Sequence, residues 1–280
     1  MSTYLFPGQG SQAKGMGNHL FKIFPEKVAA ADNSLGYSIA ELCEDLERLN
    51  QTQYTQPALY VVNALSYYQK IAETNKKPDY LAGHSLGEYN ALLAAEVFNF
   101  ETGLILVKKR AELMSQVSGG AMAAVIGLTA EAVQTILEQE NLKEVNIANY
   151  NSYAQVVISG ARNLVVCTQA IFEKAGASLF IPLKVSGAFH SPLMETAQQA
   201  FKEFLTGFNF TPPSIQVITN VTAKPYQSDH IHALLAQQIT SPVRWTSSIE
   251  YLLQQGETEF LEVGPGTVLT GLLRRIKNAQ

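Results

Sequence analysis

Apolar residues arrive along this chain in two rhythms. Short runs bounded by Gly or Pro read as buried strands: residues 4–6 before Pro7-Gly8, and 80–82 before Gly83. Between and after them lie stretches of helical character at 25–31, 38–49, 88–97 and 102–117. A longer helix is expected to open at Pro57 and run to about residue 74, since Pro fits a first turn. Gly119-Gly120 marks a break, and the order of elements then changes. Residues 121–127 predict a strand and 129–140 a helix with a Thr cap. Strands at 144–148 and 154–159, joined through 149–153, precede a helix at 161–176 and a strand at 179–185. That order, β-α-β-β-α-β, is the ferredoxin-like unit. The first pattern then resumes with helix 191–206, strand 215–219, helices 231–239 and 247–255, strand 259–263 and helix 268–277. The expected class is therefore α/β: a large domain over 1–120 and 187–280, interrupted by a small α+β subdomain over 121–186.

Length and charge narrow the function classes. At roughly 150 residues per domain, 280 residues fit about two domains. The net charge of −4 argues against nucleic-acid binding through a broad basic face. No apolar run approaches the roughly 18 residues of a membrane span, and the N-terminus lacks the basic region of a signal peptide. A cytoplasmic protein without membrane or nucleic-acid partners is the expectation. Cys43 and Cys167 are too few for a disulfide framework and have no His or Cys at metal spacing, so both are expected as small core residues, with no metal site.

The candidate chemistry centres on Gly83-His84-Ser85-Leu86-Gly87, a Gly-x-Ser-x-Gly elbow between a predicted strand and a predicted helix. Of the five histidines, His84 adjoins the serine and should diverge from it on a sharp turn. His19, His230 and His232 sit in polar segments. His190 lies where the inserted subdomain returns the chain to the larger one, and could face the elbow across a cleft. The aspartates are Asp32, Asp45, Asp79 and Asp229; none falls between Ser85 and His190, where the hydrolase order would place a third member. A Ser–His dyad oriented by a backbone carbonyl is therefore expected. Gly8-x-Gly10 could open a dinucleotide loop, but no second strand ending in an acid follows. The alternative is close backbone approach to a reacting centre, with the Gln9 and Leu86 amides as oxyanion donors. Arg110 stands in the middle of the apolar face of its helix, with Leu106, Val107, Leu113 and Met114, where a cation needs an anion. No acidic residue is its obvious partner, which points to a substrate carboxylate held bidentately.

Together these residues resemble the malonyl-CoA:acyl carrier protein transacylase family. The resemblance is carried by Phe6-Pro7-Gly8-Gln9-Gly10-Ser11-Gln12, Gly83-His84-Ser85-Leu86-Gly87-Glu88-Tyr89, Arg110 with Met114, Ala188-Phe189-His190-Ser191, Gln238 before Ser241-Pro242-Val243-Arg244-Trp245, and Glu262-Val263-Gly264-Pro265-Gly266. The stretches 52–60 and 107–110 look most like the discrete, trans-acting acyltransferases of modular polyketide synthases. The resemblance implies a hydrolase-like large domain with a parallel sheet, Ser85 as nucleophile and His190 as base. It further implies that the Gln238 carbonyl orients His190, that Gln9 and Leu86 form the oxyanion hole, and that Arg110 binds a malonyl carboxylate in a pocket shared with Gln9, Met114 and Phe189. Phe189 is similar to the malonyl-selective form of its motif; Gly187 departs from it, where members embedded in synthases often carry His. Malonyl-CoA and an acyl carrier protein would be the partners, with no cofactor. Basic residues are expected to receive the carrier, with Arg274, Arg275, Lys277, Lys108 and Lys109 as candidates. An editing thioester hydrolase and a non-catalytic subunit on the same scaffold are the rival functions.

Overall fold

The computed structural model describes residues 2–279. Strands β1 (Ser2–Phe6), β2 (Tyr80–Gly83), β3 (Gly120–Ile126), β4 (Asn146–Ser152), β5 (Gln155–Ala161), β6 (Leu179–Pro182), β7 (Gln216–Ile218) and β8 (Glu259–Glu262) form two sheets. The first is parallel, in the order β7-β2-β1-β8, with Phe6 opposite Gly83, Leu5 opposite Glu262 and Ala82 opposite Ile218. Parallel strands are covered on both faces, which is why β1 and β2 read as short apolar runs rather than as alternating ones. The Thr52–Thr74 helix is buried from residue 55 to 65, and the Gly87–Ala94 helix is buried throughout. In an open parallel sheet the carboxyl ends of the strands share one edge, where ligands bind. That edge here carries Gln9 after β1, Ser85 after β2, Asn220 after β7 and Gly264 after β8.

The second sheet is antiparallel, in the order β4-β5-β3-β6. Its two-residue period divides its faces. Ala123, Val125, Val156 and Ile158 pack with Val133, Leu137 and Phe172 of the Ala130–Gln139 and Arg162–Lys174 helices. Met122, Ala124 and Val157 instead join the core of the larger part. Backbone hydrogen bonds also tie the two parts: Tyr150 N–H donates to Val243 O (2.9 Å), and Val243 N–H to Ala148 O (2.8 Å).

Several elements differ from the sequence expectation. The long helix starts at Thr52, one turn before Pro57. The carbonyl that Pro57 leaves unpaired belongs to Gln53, an exposed residue that water can serve. Strand β4 continues to Ser152 through two register shifts, so 149–152 is strand rather than loop. Helix 191–206 opens as a 3₁₀ turn, Pro192–Met194, followed by α-helix Glu195–Leu205. Cys43 is buried as expected, whereas Cys167 lies exposed on its helix. Among the described residues, no helix is long and apolar enough to cross a membrane, and no cluster of His, Cys, Asp and Glu could hold a metal ion.

Candidate active site

The turn from β2 into the Gly87–Ala94 helix puts Ser85 at φ +52°, the left-handed region that side chains other than Gly rarely occupy. Crowding explains the glycines on either side. A Cβ at Gly83 would lie 1.9 Å from the Gly87 carbonyl carbon, and one at Gly87 would lie 2.0 Å from Phe6 O. Asn220 pins the turn across the sheet: its Nδ2 donates to Gly83 O (2.7 Å) and its Oδ1 accepts from Ser85 N–H (2.7 Å).

His190 also has positive φ, +57°, and its N–H donates to Ile239 O (3.1 Å). Its Nε2 lies 2.8 Å from Ser85 Oγ. Its Nδ1 lies 2.8 Å from Gln238 O and 3.1 Å from Ser241 O. Carbonyls only accept, so the ring proton belongs on Nδ1 and the Nε2 lone pair faces the serine hydroxyl. Burial, and then the nearby Arg110 charge, lowers the imidazole to about 3, so it is neutral at neutral pH. His84 turns away from Ser85, with its Nε2 2.9 Å from Asn151 Oδ1.

Arg110 is 1% exposed. Its Nη1 donates to Gln56 Oε1. Its Nη2 donates to Gln238 Oε1 (2.9 Å) and Ser85 Oγ (3.1 Å). Nε has no hydrogen-bond partner, and the guanidinium carbon lies 5.6 Å from the Tyr89 ring centroid. No carboxylate lies within ion-pair distance among the described residues; the nearest groups are neutral amides and a hydroxyl. Met114 lies beneath this arrangement, its sulfur 3.7 Å from Gln56 Nε2.

These groups open onto one cleft of about 500 Å³, part of it open to solvent. Gln9, Leu86, Met114, Phe189 and His190 line it from the larger part, and Met122 and Asn149 from the smaller. Neither the Gln9 nor the Leu86 N–H donates to another group among the described residues. The structure thus brings Ser85, His190, Gln9, Leu86, Arg110, Phe189, Met114 and the Gln238 carbonyl to one place. At Gly187 a Cβ would meet Met194 Cε at 2.8 Å and Val117 O at 3.0 Å, so a larger residue there would require the Met194 side chain to shift.

Besides Asn220, the sequence reading missed three polar side chains: that of Gln238, expected only for its carbonyl, and those of Glu88 and Gln56. Gln238 contributes its side chain as well as its carbonyl: Nε2 donates to Ser85 O (2.9 Å) and to Glu88 Oε2. Glu88 is fully buried, accepts also from Tyr226 Oη and Asn220 N–H, and is pushed up to about 7 by burial. Gln56 is the third. None of the docking candidates lines the cleft. Lys108 is tied to the Ser34 and Leu35 carbonyls, Arg275 to Gln155, and Lys277 covers the Phe260 ring. Arg162 and Lys184 line a groove that shares Leu183 and Val185 with the cleft.

Residues 3–279 match the family model described as the acyl transferase domain. The chain is 56% identical over 280 residues to the polyketide biosynthesis malonyl CoA-acyl carrier protein transacylase PksC of Bacillus subtilis strain 168, covering 99% of this chain and 97% of that one. It is 54% identical to the polyketide biosynthesis protein PksE of the same organism, covering 99% of this chain but only 37% of that longer protein. Among solved structures, the malonyl CoA-acyl carrier protein transacylase of Burkholderia pseudomallei superposes with a TM-score of 0.97 at 50% identity, over 100% of this chain and 99% of that one.

Proposed function

The chain belongs to the family of acyl transferase domains, and from that premise we propose that it moves a malonyl group from malonyl-CoA to the phosphopantetheine thiol of an acyl carrier protein, through an ester on Ser85. The observation that carries the choice of acyl group is Arg110, a buried guanidinium 3.1 Å from Ser85 Oγ with no carboxylate in contact; the nearby Glu88 is held off it by the Gln238 amide. A buried cation without a counter-charge in contact is costly, and the distal carboxylate of a malonyl group is the anion that would relieve it. An acetyl group brings none.

Ser85 Oγ attacks the thioester carbonyl as His190 Nε2 takes its proton, and the Nδ1–H bonds to the Gln238 and Ser241 carbonyls support the imidazolium. The free Gln9 and Leu86 amides receive the developing oxyanion. His190 returns the proton to the departing CoA thiolate. In the second half-reaction the carrier's thiol gives its proton to His190 and attacks the ester, and Ser85 leaves as its hydroxyl. Phe189 beside His190 crowds an α-methyl branch, which favours malonyl over methylmalonyl. The reaction is complete without a cofactor. Identity to PksC favours a role in polyketide biosynthesis over one in fatty-acid synthesis. In this reading residues 1–120 with 187–280 supply the chemistry, and 121–186 the opposite wall.

Intact-mass analysis after separate incubation with malonyl-CoA, acetyl-CoA and methylmalonyl-CoA tests the proposal. A stable malonyl adduct on the wild type, with much weaker labelling by the other two, is expected. Rapid loss of the adduct to water without carrier protein would favour the editing hydrolase.

A further inference from the structure

Arg110 and Glu88 are the guanidinium and the carboxyl group buried beside Ser85, and the Gln238 amide stands between them. A primary amide can be turned end for end with little change in shape, but its two ends are not equivalent here. The guanidinium only donates, so it demands Oε1. The Ser85 carbonyl and the Glu88 carboxyl accept from Nε2. Glu88 is itself held by Tyr226 Oη on one oxygen and Asn220 N–H on the other, and Asn220 is the residue that pins the elbow. Reversing the amide would set its NH₂ against Arg110 and its oxygen against two acceptors. None of the steps proposed above uses Glu88 or the Gln238 side chain.

We propose that Glu88 is a positioning residue for acyl-group selection: it locks the Gln238 side-chain amide with Oε1 toward Arg110, and so aims the guanidinium at the acyl group carried by Ser85. This rests on the reading of Arg110 as the carboxylate-binding group. The role belongs to the acceptor oxygen and not to the charge. Glu88→Gln keeps an oxygen for Asn220 N–H and Gln238 Nε2 and turns its NH₂ toward Tyr226 Oη, which can accept. Glu88→Met offers no acceptor. Gln238→Met keeps the backbone carbonyl that faces His190 but removes the amide.

The test is kcat and KM for malonyl-CoA and acetyl-CoA in the full-length wild type, Arg110→Ala, Glu88→Gln, Glu88→Met, Gln238→Met and the Glu88→Met/Gln238→Met double variant, each checked for a native melting transition. Hydrogen bonds to charged groups set the scale, so Glu88→Met and Gln238→Met should each lower the malonyl-to-acetyl ratio by about tenfold or more, chiefly through the malonyl-CoA KM. Glu88→Gln should retain the ratio within about threefold, and Glu88→Met should cost little more in the Gln238→Met background. If Arg110→Ala leaves the ratio unchanged, the malonyl reading itself fails. If Arg110→Ala lowers it but Gln238→Met does not, or if Glu88→Gln loses as much as Glu88→Met, the positioning role is overturned. Should Glu88→Met not fold, Gln238→Met and Glu88→Gln still decide the matter.

Discussion

Behind the small antiparallel sheet, Val125, Val133, Leu137, Val156, Ile158 and Phe172 pack in a core where no charged side chain is buried among the described residues. The core beside the parallel sheet buries Arg110, Glu88 and His190. The first arrangement is what stability asks for. The second holds groups whose burial is unfavourable until something neutralises or engages them. Their clustering around Ser85, at the carboxyl end of β2, separates the half that reacts from the half that encloses.

That contrast predicts different consequences for damage in each half. Ser85→Ala has the largest effect: no acyl adduct should form, and an adduct of unchanged mass on the variant would place the nucleophile elsewhere. His190→Ala should slow both half-reactions by about 10²–10⁴-fold, the usual worth of a general base, with folding intact. Rapid-quench rates for acylation and for transfer should fall together; loss in only one would assign the other to a different base.

The acid limb of acylation sharpens the point. The active base is neutral His190, and burial beside Arg110 lowers it from its usual range near 6.5 to about 3. The rate should therefore hold as pH falls through 6.5 and drop only well below it. Removing the Arg110 charge should move the limb up toward 6.5. A wild-type half-point near 6.5 would mean that the imidazole is not shielded as described.

Phe172→Ala, in the apolar core of the small part, should cost about 3–5 kcal/mol of stability by denaturant unfolding, with kcat/KM of the folded fraction within about twofold of wild type. A large loss of activity in a folded variant would give that half more than an enclosing role. The smallest effect concerns the carrier. Transfer to an acidic carrier should weaken with added salt, and more so than acylation by malonyl-CoA if Arg162 and Lys184 receive it. Salt-independent transfer would remove charge from docking.

Legibility followed locality. The elbow could be read because its glycines answer to close backbone approach within five residues, and Arg110 because one cation on an apolar helical face breaks a local period. The ferredoxin-like order was visible in the spacing of its strands, although β4 ran past its expected end because bulges let polar residues such as Asn149 and Asn151 stay in the strand. Glu88 sits in a helix buried all round, where no polar face marks it as unusual, and it meets Gln238 150 positions away. Gln56 meets Arg110 across 54 positions, and Asn220 meets Ser85 across 135. Such partners are fixed by topology, and no local pattern announces them. The sequence offers Arg110 no obvious acidic partner; in the fold Glu88 lies one amide away from it, and amides rather than carboxylates hold the guanidinium in place.

The most direct test of the central claim, that a buried cation beside the nucleophile selects the acyl group, is kcat/KM for malonyl-CoA and acetyl-CoA in wild type and Arg110→Ala. Breaking a buried ion pair costs on the order of 3–5 kcal/mol, so malonyl-CoA should lose about 10²–10³-fold or more while acetyl-CoA loses little or gains. An equal loss for both substrates would reduce Arg110 to a support of the fold, and an unchanged malonyl preference would contradict the account.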